Sequence, residues 1–552
     1  MKMKGADILI NCLLEQGVDT VFGYPGGTVL DIYDALYRNG KLNHILTAHE
    51  QGASHAADGY ARVTGKVGVC IATSGPGATN LVTGIATAYM DSIPMVAITG
   101  NVALTNLGRD SFQEVDITGI TMPITKHNYI VKDVAELADT VRQAFYIANS
   151  GRKGPVLIDV LKNVQVAEYD YEPVKPLPIK KVAVDESKLS VAAEIINASS
   201  RPLLMVGGGA TSSDATDEIL AIAKKLNAPV AYTLMGKGVI DDDAECNLGM
   251  MGMHGTKAAA KALIESDCIV AFGTRFSDRV ALNRNLFANG KKVVQIDIDN
   301  AEFNKNVQVT TSILGDVALC SEKLLPLLKS KDDAWLKTTL TYKGERVDGN
   351  CRAYEILRTA AALAPADSPL ITDVGQHQMW TAQEYPLHKS RLFCSSGGLG
   401  TMGYGLGAAI GAAFGSGKLC VLVTGDGCFN MNLNELSTAV TQGIPLVILL
   451  MNNGVLGMVR QWQKIFYGRR FSQTTLQKKT DYIKFAESFG AKGVLLDQGD
   501  DVKSKLEEAF DYAIKNCSPV VVDCHISPDD NVLPMIKPGA TYDTQMDKME
   551  EN

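Results

Sequence analysis

Two short segments hold residue types suited to binding a metal and a phosphate. Gly425-Asp426-Gly427 closes the apolar run 419–424 (LCVLVT), and Asn452-Asn453 closes the run 445–451 (PLVILLM). Both runs suit buried strands of a parallel sheet. Neighbouring parallel strands end at one edge, and ligands bind there. Asp426 and Asn453, 27 positions apart, would therefore converge. A carboxylate and an amide oxygen suit Mg²⁺, whose octahedron is completed by water, a backbone carbonyl or phosphate oxygens. The glycines let the backbone approach a diphosphate. Taken singly, Gly-Asp-Gly is an ordinary turn and Asn-Asn an ordinary strand end. Two strands, with Asn430, Asn432 and Asn434 and a helix between them, favour the metal–diphosphate site.

Glu50, in the segment 47–53 (TAHEQGA), would alone be a helix cap or a solvated acid. Beside a Mg²⁺-diphosphate site it gains another meaning. Thiamine diphosphate is activated when a carboxyl group hydrogen-bonds its aminopyrimidine ring, which then removes the proton at carbon C2. Such a carboxyl must be shielded from water and matched to that ring. Glu50 lies far from Asp426 in sequence, which fits a cofactor held across a domain or subunit interface. A third segment, 398–403 (GLGTMG), fits the dinucleotide pattern G-x-G-x-x-G. It lacks a clear preceding strand, and the acid that would follow it, Asp426, already has a better place. These glycines are read as backbone permitting close cofactor or helix contact, with a redox dinucleotide site as the alternative.

The elements that must position these groups form an α/β chain. Residues 1–165 alternate helical and strand patterns, with strands expected at 67–72, 94–99 and 154–159. Residues 166–190 hold three prolines and mixed charge, which is linker chemistry. A second unit, 190–335, has strands expected at 202–206, 228–232, 268–272 and 292–297. The charged stretch 329–348 leads to a third unit, 352–530, with strands expected at 370–374, 419–424, 445–451 and 519–524. Residues 531–552 are read as a polar arm or tail. The first and third units share size and strand rhythm without a strict repeat.

Composition narrows the classes. The 552 residues are 46% apolar and 21% charged, an ordinary globular balance. A net charge of −8 without a basic stripe argues against nucleic acid. Eleven scattered cysteines without C-x-x-C read as free thiols in a reducing cytoplasm. No apolar stretch reaches the length of a membrane span, and the first residues lack a signal-peptide pattern.

With these residues in view, the chain resembles the acetolactate synthase (acetohydroxyacid synthase) family of thiamine-diphosphate enzymes along nearly its whole length. The resemblance is carried by GYPGG (23–27), EQGASHAADGYAR (50–62), SGPGATN (74–80), FQE (112–114) and ITKHNY (124–129). GMHGT (252–256), RFSDRV (275–280), VGQHQMW (374–380), GGLGTMGYGLG (397–407), GDGCFNMNLNELSTA (425–439) and NNGVLGMVRQWQ (452–463) extend it. It implies three doubly wound parallel-sheet domains: pyrimidine-binding, central FAD-binding and diphosphate-binding. It implies active sites between two subunits, a homodimer or larger assembly, and a small regulatory subunit as a further partner.

Residue by residue, the resemblance makes Glu50 the cofactor activator, and Asp426, Asn453 and the carbonyl of Val455 the Mg²⁺ ligands. Pro25, Gly26, Gln376, His377, Gly400, Met402, Gly425, Gly427 and Met458 would contact thiamine diphosphate, the two methionines holding it bent. Gln113, Lys162, Phe112 and Arg279 would face the substrate channel, and Trp462 would favour an acceptor with an ethyl side chain. FAD, in a non-redox role, would contact Arg152, Gly207, Gly208, Gly209, His254, Gly255, Thr256, Thr274, Arg275, Asp278, Asp297, Ile298 and Asp316. Without the family, Gly207 to Gly209 is as well read as a turn. Arg275, Asp278 and Arg279 read as a surface ion cluster, Trp462 as core, and Met402 and Met458 as gap-fillers. Three motifs depart from the family: Gly407 stands where Pro is frequent, Leu161-Lys162-Asn163 stands where Pro-Lys-Asp is usual, and Ser277 replaces Asp.

The implied reaction decarboxylates pyruvate and joins its two-carbon unit to a second 2-keto acid. A pyruvate oxidase, with the same thiamine site but electrons passing through the flavin, is the alternative. A non-catalytic cofactor-binding scaffold is a third reading, which the intact Glu50 disfavours.

Overall fold

A computed structural model describes residues 1–180, 182–344, 351–476 and 479–548. Positions 345–348 of the charged stretch and 549–552 of the C-terminal segment lie outside the described residues.

Three six-stranded parallel sheets form the frame. Numbering each sheet's strands in chain order, the first and third both run 2-1-3-4-6-5. The kinship suspected from strand rhythm is thus a shared topology. The central sheet runs 3-2-1-4-5-6, the Rossmann order. In each sheet the order reverses beside its first strand, so each opens a crevice at the strands' C-terminal ends. In the first sheet that crevice lies between Thr20–Tyr24 and Gly68–Ala72. In the central sheet it lies between Pro202–Val206 and Cys268–Phe272. In the third it lies between Leu370–Thr372 and Cys420–Gly425.

The first and third units join through one apolar core, in which Phe22 and Tyr60 meet Tyr404, Ile410 and Leu422. Two small-residue helices, Glu50–Thr64 and Gly405–Ser416, cross there. A Cβ on Gly59 would collide with the carbonyl of Ala408, and one on Gly411 with that of Ala56. Close helix approach therefore fixes the Glu50 helix against the third unit.

Two segments behave differently from their sequence reading. Within the stretch read as linker, Glu168–Asp170 pairs antiparallel with Lys2–Lys4, setting Asp170 opposite Lys2 and Glu168 opposite Lys4. The C-terminal segment is not a free tail over its described length. Met535, Ile536 and Tyr542 are buried in the central unit's core. The Ile536 N–H donates to the Met253 carbonyl at 2.8 Å, and the Tyr542 hydroxyl to that of Val280 at 2.6 Å. The apolar stretch 532–536 (VLPMI) is short, holds Pro534 and is flanked by polar residues, so the segment's composition hid this packing.

Candidate active site

The strands Cys420–Gly425 and Leu446–Asn452 are neighbours, with Gly425 opposite Met451. Asp426 and Asn453 follow directly at the same edge, as their spacing predicted. Asp426 opens the helix Asp426–Asn432 and is 5% exposed. The Asn453 amide oxygen accepts the Val455 N–H at 3.1 Å, and its amide nitrogen donates to Gln376 at 3.3 Å. These residues line a cavity of about 60 Å³ together with His377, Met402, Gly425, Gly427 and Met458.

Charge in this cavity is unbalanced in an informative way. Among the described residues no Lys or Arg lines it, and Asp426 is its one carboxylate. His377 is neutral, because burial pushes its pKa down to about 3. Its Nε2 is buried and finds no hydrogen-bond partner among the described residues. A diphosphate entering here meets no cationic side chain among the described residues. A divalent cation held by Asp426, Asn453 and the Val455 carbonyl would supply the missing charge, and the oxygen donor set suits Mg²⁺. The residues present therefore fit a Mg²⁺-diphosphate group.

A second, larger cavity of about 1650 Å³ adjoins the first, sharing Val374, Gly375, Met402, Met458 and Val459 as walls. Gly208 and Gly209, at the central switch point, line it, as do Thr274, Arg275, Asp278, Asp297, Ile298, Asp316, Arg152 and His254. Gly209 packs against Gly273, and a Cβ there would meet the Gly273 Cα at 2.6 Å. Two strand ends thus approach as bare backbone, as a dinucleotide crevice requires. The His254 Nδ1 is buried without a partner, and burial lowers the ring's pKa to about 4. Burial raises Asp297 to about 6. These features fit FAD. Gly207, Gly255 and Thr256 stand just outside the lining. The Thr256 hydroxyl caps the helix Lys257–Glu265 by accepting the Ala259 N–H at 3.1 Å. Arg62, Lys153 and Arg391 add cationic groups to this cavity that sequence reading missed. They come from three separate chain regions, so no local pattern announced them.

Arg279 and Trp462 meet in the same cavity, the guanidinium 5.5 Å from the ring centroid. Arg279 also pairs with Asp278 at 3.4 Å, so the surface-ion reading describes part of its surroundings. Met402, Gly400 and Met458 line this cavity too.

Glu50, Gln113, Lys162, Phe112, Pro25 and Gly26 gather elsewhere, around the C-terminal edge of the first sheet. Glu50 is half-buried at the start of its helix, and Oε2 accepts from the Asn80 amide at 3.0 Å. Gln113 sits at φ +59° against Gly75. Lys162 donates to the Gly27 carbonyl at 3.0 Å. Phe112 is 87% exposed. None of these six lines the Asp426 cavity. One chain thus carries the two halves of the expected site apart.

The thiamine pyrophosphate enzyme family matches the chain in three stretches. Its N-terminal TPP binding domain covers residues 3–120, its central domain 189–324 and its C-terminal TPP binding domain 373–524. The acetolactate synthase of Mycobacterium bovis is 44% identical over 98% of this chain and 91% of its own length. The acetolactate synthase large subunit of Porphyra purpurea is 44% identical, over 97% and 94%. That of Haemophilus influenzae is 41% identical, over 100% and 99%. The chain belongs to the acetolactate synthase family. It is a thiamine-diphosphate enzyme with that family's three α/β domains, and both sheet edges read from the motifs lie in its TPP-binding domains. The Rossmann-ordered sheet is the family's central domain.

Proposed function

We propose that the chain is the catalytic subunit of an acetolactate synthase. It joins the two-carbon unit of pyruvate, after loss of CO₂, to a second 2-keto acid. Pyruvate as acceptor gives 2-acetolactate, and 2-ketobutyrate gives 2-aceto-2-hydroxybutyrate. The observation that carries this reading is the Asp426 cavity, which among the described residues has one acid and no cation and opens beside Arg279 and Trp462.

Bound thiamine diphosphate supplies a nucleophilic carbon and an electron sink. Asp426, Asn453 and Val455 hold its diphosphate through Mg²⁺, with His377 and Gln376 beside them. Glu50 holds the proton at the aminopyrimidine. Arg279 attracts the keto acid's carboxylate. Met402, Met458 and Val459 line the passage between the cavities with apolar surface, which would exclude water there. FAD fills the large cavity in a non-redox role.

The separation of Glu50 from the Asp426 cavity supports a dimer, or a larger homo-oligomer, in which each chain completes another's site. The printed name "large subunit" of the relatives supports a small regulatory subunit as a further partner. Eleven free cysteines support a cytoplasmic location. No described helix is long and apolar enough to cross a membrane.

The test is product analysis with Mg²⁺, thiamine diphosphate and FAD. Pyruvate alone is expected to give 2-acetolactate, and added 2-ketobutyrate the ethyl homologue. Rapid stoichiometric bleaching of the flavin by pyruvate without air, and no carboligation product, would sink the proposal in favour of an oxidase. Trp462→Leu should lower the ethyl product's share about tenfold, the discrimination usual for one methylene in an apolar site. An unchanged product ratio would remove Trp462 from acceptor choice.

A further inference from the structure

Asp373 follows the strand Leu370–Thr372 at the switch point of the third sheet. Its side chain lines neither cavity, and the residue is 2% exposed. Both carboxylate oxygens are engaged inside the protein. Oδ1 accepts the N–H groups of Gly403 at 2.9 Å and Gly405 at 3.0 Å. Oδ2 accepts the Thr424 hydroxyl at 2.7 Å.

The partners matter more than their number. Gly403 adjoins Met402, the side chain that walls both cavities. Thr424 lies two residues before Asp426 on the neighbouring strand. Gly405 opens the twelve-residue helix Gly405–Ser416, whose dipole favours an anion at its start. No Lys or Arg pairs with Asp373 among the described residues. A buried carboxylate without a counter-ion is costly unless hydrogen-bonded. Here the helix start and three donors hold it, and they belong to the two segments that carry Met402 and Asp426.

We propose that Asp373 is a positioning residue that fixes Met402 and Asp426 relative to one another across the cofactor cavity. The inference rests on the thiamine-diphosphate site of the proposed function. It assigns Asp373 no contact with cofactor or substrate. Its loss shifts both walls of the site, and a displacement near 1 Å costs up to about hundredfold in rate.

The test compares Asp373→Ala and Asp373→Asn with wild type in the full-length protein. Thiamine diphosphate affinity is read by fluorescence titration at saturating Mg²⁺. Deuterium exchange at cofactor C2 is read at saturating cofactor, and the melting temperature without thiamine diphosphate serves as a control. The Ala variant is expected to bind at least about tenfold more weakly and to exchange about tenfold more slowly even when saturated. The Asn variant, which keeps one accepting oxygen, should fall between Ala and wild type. Binding and exchange within twofold of wild type in both variants would overturn the assignment. So would a lower melting temperature with exchange at saturation unchanged, the mark of a merely structural role. If the Ala variant does not fold, Asp373→Asn and Thr424→Val decide by the same criteria. Wild type that binds no thiamine diphosphate would overturn the site itself; wild-type binding with unmoved variants would overturn this inference alone.

Discussion

Asp426→Ala is expected to abolish Mg²⁺-dependent binding of thiamine diphosphate while leaving FAD binding intact. The cavity explains the size of the effect. Among the described residues its lining holds no Lys or Arg, and burial keeps His377 neutral, its pKa pushed down to about 3. Nothing else there can offset the charge of a diphosphate, so the cation does so and Asp426 is its one charged ligand. Removing one partner of a buried charge pair costs about 2–5 kcal/mol or more, or about thirtyfold to several thousandfold in Kd. Asn453 and the Val455 carbonyl would remain, but two neutral oxygens hold a hard dication poorly. Titration of thiamine diphosphate with and without Mg²⁺, followed by intrinsic fluorescence, measures the loss. Affinity at the wild-type level would show that the metal sits elsewhere. FAD is the internal control, because Asp426 does not line the large cavity. Parallel loss of both ligands would point to unfolding.

Why Asp426 was legible and other parts were not follows from burial. Strands beside a switch point are covered on both faces, so they read as unbroken apolar runs. Pro202–Val206, Cys268–Phe272 and Lys292–Asp297 match their expected bounds. The segments that follow them, Gly207–Gly209 and Gly273–Arg275, therefore fall at strand ends as expected. Edge strands are only partly covered. Asn43–Leu46, His127–Val131 and Asn247–Met250 are short and open on Asn or His, so none holds a long unbroken apolar run, and reading for apolar runs passed over them. Asp373 was overlooked for the opposite reason. It lies inside the run 370–374 read as a strand, with no cue that three donors converge on it. The cations Arg62, Lys153 and Arg391 meet only after the first and third units have packed. Glu50 was found because thiamine chemistry demands a carboxyl, whereas its distance from the Asp426 cavity appears only in the folded chain.

That distance governs the last prediction. Glu50→Gln is expected to slow deuterium exchange at cofactor C2 by about 10²–10⁴-fold, the usual worth of a positioned acid–base group, with thiamine diphosphate still bound. Glutamine keeps the length and one acceptor, so the Asn80 contact survives, but it holds no proton to share with the aminopyrimidine. Unchanged exchange would remove Glu50 from activation. The geometry adds a sharper form of the experiment. Glu50 does not line the Asp426 cavity of its own chain. If it serves a cofactor bound by a second chain, two inactive variants should rescue one another. In a mixed dimer of Glu50→Gln and Asp426→Ala, one site receives both defects. The other combines the intact Glu50 of the Asp426→Ala chain with the intact Asp426 of the Glu50→Gln chain. Co-expressed, differently tagged chains isolated as the mixed dimer should then regain activity at one of their two sites. If Glu50 instead reached the cavity of its own chain by domain movement, every site in the mixed dimer would keep one defect and no activity would return.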